Sequence, residues 1–313
     1  MFEKIHKLND TKFRALTGLK KKNFLELTVV FSACCQAIDE EYRAAFLEAT
    51  GRKLNGGGSP IFKTPTEKLF FVLYYLKTYP TFENLGFIFG CSNKTAHENL
   101  YKFIPILEHA LKELNVLPKR NFDTVDEFIE YIKDNEDLLI DATERIHHRK
   151  SDYEAQKELY NGKKKTHTVK NTIISNTSQN VLYVGETVLG AKHDFKMLKD
   201  EFPSHINWFE NFNVWIDLGY IGFKNEFVCN LLKIPYKKPY RTKNNPDPKL
   251  TPEQKEYNKS VSKVRVLVEN AICGIKRYYI LNYRFRNKSE LLRDKSIFLA
   301  AGLWNFSKDF FIG

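Results

Sequence analysis

The chain has 313 residues, 42% of them hydrophobic, and its formal net charge at pH 7 is +11. This length and composition predict a folded protein of about two domains and exclude a disordered chain. The positive charge favours a polyanionic partner, nucleic acid before a membrane surface. Because no apolar run approaches about 18 residues and no signal peptide opens the chain, we expect no membrane span and a cytoplasmic protein.

The N-terminal segment, residues 1–55, has helical periodicity at Phe24, Leu27 and Phe31 but no recognisable chemistry. Residues 51–60, which include three consecutive glycines, predict a flexible joint. This joint is not a phosphate-binding loop, because no Gly-Lys-Ser/Thr ending follows it.

A helix-turn-helix domain is predicted over residues 56–118. A helix over 67–78 ends at a proline, a short helix over 81–89 follows, and Gly90-Cys91-Ser92 forms a tight turn. Ser92 then caps a second helix that runs from 93 to about 107.

The second helix of this motif has one apolar and one polar side. The apolar side consists of Ala96, Leu100, Phe103 and Leu107. The polar side carries four candidates for contacts with base edges or phosphates: Asn93, Lys94, His97 and Tyr101. Such turns also occur in helical bundles that never bind DNA, and that interpretation stays open.

A linker helix with a Thr124/Glu127 capping box is predicted within 119–137, and the remaining residues, 138–313, form the catalytic domain. The extended segments are predicted at 138–141, 167–175, 181–187 and 214–216, with a further strand at 233–236. A short helix over 195–202 separates the third strand from the fourth, and a long helix over 251–280 comes last. This is the order of an RNase H-like mixed sheet, so the fold class is α/β with an all-α helix-turn-helix adaptor in front.

Two aspartates lie where apolar strands are expected to end. Asp141 follows Leu138-Leu139-Ile140, and Asp217 follows Val214-Trp215-Ile216. In the predicted strand order the first and fourth strands are neighbours, which brings the two carboxylates to one place.

The long helix begins with a Thr251/Gln254 capping box and carries Arg265, Glu269 and Lys276 on one face. The apolar residues beside Glu269 indicate that its carboxylate needs a partner. Packed across the sheet, this helix would bring Glu269 to Asp141 and Asp217.

Three crowded carboxylates repel one another unless a cation joins them. Hard oxygen ligands suit Mg²⁺, with Mn²⁺ as a substitute, and two such ions support in-line displacement at phosphorus. We therefore predict a metal site formed by Asp141, Asp217 and Glu269. The alternative, that each acid is an ordinary turn or helix residue, is weakened by their combination in this chain order.

Basic residues cluster in two further places. The loop over 233–250 is rich in proline and interleaves tyrosines with Lys237, Lys238 and Arg241, which predicts contacts with a phosphate backbone. Lys163-Lys164-Lys165 is a second candidate. For both, a plain solvated surface is the alternative.

Several motifs resemble those of the DDE transposases of the IS-five insertion-sequence family, especially the branch shared with Harbinger-type nucleases. In the catalytic half they are Asp141-Ala-Thr-Glu144, Gly162-Lys-Lys-Lys-Thr-His167, Gly190-x-x-His193-Asp194, Asp217-x-Gly219-Tyr220 and Arg265-(3)-Glu269-(6)-Lys276; upstream they are Lys77-Thr-Tyr-Pro-Thr81 and Phe89-Gly-Cys-Ser92. One departure is Ser262, which occupies the position three residues before the arginine where the family often has tyrosine.

The resemblance implies a transposase that binds the inverted-repeat ends of its own element, cuts the DNA there and joins it to a target. It implies that Asp141, Asp217 and Glu269 hold two metal ions, that Arg265 and Lys276 position Glu269 or contact phosphate, and that the protein acts on double-stranded DNA as a homodimer or higher oligomer. Two other functions stay open at this point: a DNA-binding regulator with a silent nuclease domain, and a stand-alone metal-dependent nuclease.

Overall fold

A computed structural model describes residue 5 and residues 7–53, 60–243 and 245–309. The N-terminal helices are α1 (Asp10–Thr17), α2 (Lys21–Thr50), α3 (Pro65–Thr78), α4 (Phe82–Phe89), α5 (Asn93–Glu113) and α6 (Val125–Ile132). The sheet region comprises β1 (Asp137–Ile146), α7 (Tyr153–Leu159), β2 (Tyr160–Asn161), β3 (Thr166–Ser175), β4 (Val181–Val184), β5 (Val188–Leu189), α8 (Asp194–Glu201), β6 (Asn213–Trp215), a 3-10 turn (Leu218–Tyr220), α9 (Phe223–Glu226) and β7 (Leu231–Lys233). The last helices are α10 (Pro252–Ile275), α11 (Tyr279–Asn282) and α12 (Glu290–Ser307).

These elements form two compact units. The first unit comprises residues 1–117, 276–283 and 295–313, and the second comprises 118–275 and 284–294. The predicted division into four functional segments stays a prediction. Most of the predicted joint, residues 54–59, lies outside the described residues.

The first unit is all helical, and its core is unusually aromatic. Phe71 packs its ring at 5.0 Å from that of Phe89, edge to face, and at 4.5 Å from that of Phe62. Phe24 and Phe70 extend this cluster, with ring centroids 6.5 Å apart. Aromatic pairs in these arrangements add to the stabilisation from area burial alone.

The helix-turn-helix forms as predicted from α4, a turn and α5. Ser92 caps α5, accepting a hydrogen bond from the backbone N–H of Thr95. Gly86 has to lack a side chain, because a Cβ there would lie 2.5 Å from the carbonyl oxygen of Cys91 in the turn. Helix α5 runs to Glu113, beyond the predicted end near 107, because buried Ala110 and Leu111 continue its apolar face.

The second unit is built on a mixed sheet with the strand order predicted from the sequence. The main path is β2-β3-β1-β6-β7, and β4 and β5 also pair with β3. Strand β1 is antiparallel to β3 and parallel to β6, which is itself parallel to β7. Helix α10 packs on this sheet through five buried residues: Val261, Val268, Ala271, Gly274 and Ile275.

Sequence-based bounds of strands and of the long helix were also wrong in the second unit. Strand β1 does not end at Asp141 but continues to Ile146, because its pairing with β3 extends to Ile146 opposite Thr168. The last strand lies at Leu231–Lys233 rather than 233–236, since Pro235 has no N–H to donate and the N–H of Tyr236 donates to the Asn258 side chain instead. The long helix ends at Ile275 instead of 280.

Candidate active site

Asp141 lies in the middle of β1, with its side chain 20% exposed. Its Oδ1 accepts a hydrogen bond of 2.8 Å from the backbone N–H of Ala142. Its Oδ2 lies 3.7 Å from the guanidinium of Arg265 on α10. Strand pairing and the helix therefore fix this carboxylate from two directions.

Asp217 follows β6 by two residues and is level with Asp141. Leu139 of β1 pairs in parallel with Trp215 of β6, so extending both strands by two residues brings Asp141 beside Asp217. The Oδ1 of Asp217 caps the 3-10 turn by accepting a 2.7 Å hydrogen bond from the N–H of Gly219. A Cβ at Gly219 would lie 2.8 Å from this oxygen, which explains why glycine follows the aspartate at this spacing.

Glu269 lies on α10, one turn after Arg265, and is exposed. The sequence indicated that the apolar residues beside Glu269 leave its carboxylate in need of a partner. Its exposure removes that need, because the buried face of α10 is formed by Val268 and its helical neighbours while Glu269 is turned about 100° away. Arg265 forms its ion pair with Asp141. Glu269 forms no ion pair within the described part of the chain. Lys276 lies one residue beyond the end of α10 and is half-buried.

The other two acids act on the pKa of Asp141. This pKa is raised to about 6, chiefly by burial, and the negative charges of Asp217 and Glu269 act in the same direction. The Arg265 charge and the Ala142 N–H act in the opposite direction but do not restore the ordinary value of 3.8. Asp141 is therefore a carboxylate whose ionised form lacks sufficient compensation in the protein alone.

Tyr220 lies beneath the same acids. Its hydroxyl is buried and has no hydrogen-bond partner among the described residues. Burial raises its pKa well above 10, and the charges of Asp141, Asp194 and Asp217 act in the same direction. The Tyr220 hydroxyl therefore remains protonated near these carboxylates.

The donor set fits a hard divalent cation in chemistry but is not closed around one. Carboxylate oxygens are the ligands that Mg²⁺ and Mn²⁺ prefer, and a cation would supply the charge compensation that Asp141 lacks. Among the described residues, however, no three His, Cys, Asp or Glu side chains are close enough together to hold a metal ion. Asp141 and Asp217 lie level with each other, whereas Glu269 is exposed on α10.

A second polar cluster beside the acids was not predicted from the sequence. Lys170, 8% exposed on β3, binds Asp194 at 2.9 Å and lies 4.0 Å from Glu144. Glu144 also binds Lys164 at 2.7 Å and accepts hydrogen bonds from Thr168 and Asn161. A lysine inside an otherwise buried strand was the signal available in the sequence, because such a charge requires acidic partners.

These contacts bear on the predicted basic run at Lys163, Lys164 and Lys165. All three residues are exposed, and the backbone N–H groups of the first two donate to Asn161 Oδ1. Lys164 already has a carboxylate partner in Glu144, so Lys163 and Lys165 present the more available charges for DNA.

The polar side of α5 is accessible as predicted. Asn93, Lys94 and His97 are exposed and Tyr101 is half-buried, whereas the four predicted apolar residues are buried. The His97 ring packs 4.6 Å from that of Tyr101 and 4.9 Å from that of Phe82. Asn93 donates to Glu83 of α4, and Lys94 lies 3.8 Å from Glu98.

The basic loop after β7 is described except for residue 244. Lys237, Lys238 and Arg241 are exposed. The ammonium group of Lys237 lies 4.5 Å from the centre of the Tyr240 ring.

No described helix is long and apolar enough to cross a bilayer.

Comparison with known proteins identifies two family models and one curated relative. The family model described as DDE superfamily endonuclease matches residues 140–305, and the model described as helix-turn-helix of DDE superfamily endonuclease matches residues 64–113. The chain is 26% identical over 306 residues, 97% of each chain, to a protein of Microchaete diplosiphon described as "Probable transposase for insertion sequence element IS702". No solved structure matches the chain. The two family models cover the segments in which the acids and the DNA-binding helix were predicted.

Proposed function

The chain belongs to the DDE superfamily endonucleases, and from that premise we propose that it is a transposase acting on the ends of its own insertion sequence. It binds the inverted repeats, hydrolyses the phosphodiester at the end of the element and joins the freed 3′-hydroxyl to target DNA. The observation that carries this proposal is Asp141, a half-buried carboxylate that lies level with Asp217 and has a pKa raised to about 6, in a chain that also has a helix-turn-helix.

Endonucleases of this superfamily generally use divalent metal ions. In this protein Asp141, Asp217 and Glu269 would hold Mg²⁺, with Mn²⁺ as a substitute, as two ions that activate the attacking oxygen and stabilise the leaving one. Asp141 and Asp217 are fixed by backbone hydrogen bonds, whereas exposed Glu269 is free to turn inward. The third carboxylate thus completes the site when metal and DNA are present.

Arg265 has a different task from the acids. At 3.7 Å from Asp141 it orients that carboxylate and partly compensates its charge in the absence of metal. The N–H donors of the same guanidinium would also suit a phosphate oxygen of the DNA. Lys276 supplies a further positive charge for the DNA backbone.

DNA is held by three surfaces of the chain. On α5, Asn93, Lys94, His97 and Tyr101 contact the inverted repeat. The basic run at 163–165 and the basic loop with Lys237, Lys238 and Arg241, both in the second unit with the acids, hold the phosphate backbone. We further propose a homodimer or higher oligomer that acts in the cytoplasm on chromosomal or plasmid DNA; its place in the IS-five branch stays a prediction.

A DNA-binding regulator with a silent nuclease is disfavoured by the three acids themselves. A silent site has no use for a buried, incompletely compensated Asp141, because such a carboxylate costs folding stability. A stand-alone nuclease is distinguished by its products, since it cuts without joining.

The test is a reaction of the purified protein with a duplex of the terminal inverted repeat and a supercoiled target plasmid in Mg²⁺. We expect end-specific cleavage followed by a joined product, and neither product from a duplex with a scrambled end. The Asp217→Asn variant should bind the end and leave it intact. Cleavage without joining would indicate a nuclease, and binding without cleavage by the unmodified protein would indicate a regulator.

A further inference from the structure

An open groove begins next to the carboxylate site and belongs to the second unit. Its volume is about 910 Å³, and its first lining residue, Leu218, directly follows Asp217. One wall is the segment from Leu218 to Asn230, and the other is formed by β7, the start of the basic loop and Tyr257 of α10. The groove is therefore within reach of a DNA strand whose scissile phosphate lies at Asp217.

The residues that line this groove are mostly apolar, and several of them are exposed to solvent. Its most exposed apolar residues are Leu218 at 38%, Leu231 at 44%, Ile221 and Tyr236 at 50%, and Val228 at 54%. A contiguous set of exposed apolar side chains of this kind marks a binding site.

The charges at the groove select the kind of ligand. Among the described lining residues, Lys224 and Lys237 are charged and no acid is present. An apolar floor with a purely cationic rim suits a ligand with a flat apolar face attached to a phosphate. A second copy of this chain is a poorer occupant, because a symmetric pairing of this face would bring the lysines of both copies together.

The aromatic wall is held in place in advance. The backbone N–H of Tyr236 donates to Asn258 Oδ1 at 2.7 Å, and the Asn258 amide donates back to the Tyr236 carbonyl oxygen at 3.0 Å. The Tyr236 ring rests edge to face against Tyr257 of α10, with centroids 5.1 Å apart. Tyr236 as a whole nevertheless remains 50% exposed, so the groove has an accessible aromatic residue on its wall whose backbone needs no ordering on binding.

We propose that the groove binds one unpaired nucleobase of the DNA strand at the end of the element, stacked on Tyr236, with the adjacent phosphate held by Lys237. Extruding a base costs a few kcal/mol, which an apolar and aromatic pocket offsets. Stacking tolerates any base, because each base has a π-face. The inference rests on the proposed function, since it assigns the groove to the same DNA end.

The test compares two sets of duplexes of the terminal inverted repeat, one fully paired and one with a single mismatch at each of the last four positions in turn. Binding is measured by fluorescence anisotropy in chelator, so that no cleavage occurs. We expect the unmodified protein to prefer the duplex mismatched at one position. Tyr236→Ala should weaken binding to that duplex by about 5- to 150-fold, the range typical of lost base stacking.

Two further variants are the controls. Tyr236→Phe keeps the ring and should keep the preference. Tyr153→Ala removes an aromatic residue of the second unit that is 66% exposed but does not line the groove, and it should also keep the preference.

Equal losses in Tyr236→Ala and Tyr153→Ala, or no preference at any position, would overturn the inference. A change in the oligomeric state of DNA-free Tyr236→Ala, with the mismatch preference intact, would assign the groove to protein association instead. Cleavage of the paired duplex by the unmodified protein in Mg²⁺ is measured in parallel. Cleavage without a mismatch preference would contradict only the base-binding groove, whereas absence of cleavage would contradict the proposed function itself.

Discussion

The DNA-facing side of α5 and the carboxylate site differ in how the chain builds them. The candidates on α5 lie within nine residues on one helix and are largely exposed. The acids come from β1, from the turn after β6 and from α10, and Asp141 is enclosed. A helix face is specified by local periodicity, whereas the acid site needs correct strand pairing. Charge changes should therefore affect stability strongly around the sheet and hardly at all on α5.

The largest effect of a charge change on folding stability is expected at Glu201, in the second unit. Its carboxyl oxygens are buried in the second unit, and burial raises its pKa to about 7, a rise that Asp200 supports and Thr172, Lys192 and Arg120 oppose. Because the folded-state pKa is above the unfolded value, the folded state holds the proton more tightly. The associated stability is therefore complete below about pH 4.5 and is lost as the pH rises through about 7.

Glu201→Gln removes this titration. The difference in unfolding free energy between the variant and the unmodified protein should shift in favour of the variant by on the order of 3 kcal/mol between pH 4.5 and 8. Urea unfolding at a series of pH values measures it. If the difference in unfolding free energy stays constant between pH 4.5 and 8, ionisation of Glu201 does not destabilise the folded state.

Arg265→Ala should reduce cleavage by about 10- to 100-fold, the usual loss when a group that orients a metal ligand is removed. Stabilisation by added Mg²⁺ should persist, because the acids remain. Lys263→Ala, an exposed change on the same helix, is the matched control and should cleave normally. If Arg265→Ala cleaves as well as this control, the ion pair with Asp141 has no part in the reaction.

On α5 the expected effects are smaller. His97→Ala should weaken binding to the inverted repeat by about 1 kcal/mol more than binding to unrelated duplex, as expected for a lost base contact. Lys94→Ala should weaken both about equally and lower the salt slope by about one. Neither change should alter the melting temperature, and unchanged DNA binding by the folded double variant would exclude this helix from the interface.

The sequence predicts local features of this protein better than its site geometry. The caps at Ser92 and Thr251 form as predicted, because each depends on residues within one helical turn. The strand order follows from the sequence of apolar segments. The pairing of Arg265 with Asp141 was not predictable in this way, since it depends on how α10 is rotated on the sheet.

Helix α7 and the Lys170 cluster were not predicted from the sequence, and long-range contacts explain the cluster. Helix α7 is short and was not anticipated, although Asp152 caps it by accepting a hydrogen bond from the N–H of Ala155. The Lys170 cluster joins β1, β3 and the start of α8, and only their pairing brings those charges together. Periodicity fixes which side of an element is buried, but long-range contacts decide which polar groups meet.

The central claim is that Glu269 completes a metal site with Asp141 and Asp217, and one paired measurement tests it. Melting with and without Mg²⁺ is recorded beside nicking of the terminal duplex for Glu269→Gln and for Glu256→Gln, an isosteric change at another exposed glutamate of α10. We predict that Glu269→Gln folds normally in chelator, gains no stability from Mg²⁺ and does not cleave, while Glu256→Gln behaves like the unmodified protein. Cleavage by Glu269→Gln at the unmodified rate would contradict the claim.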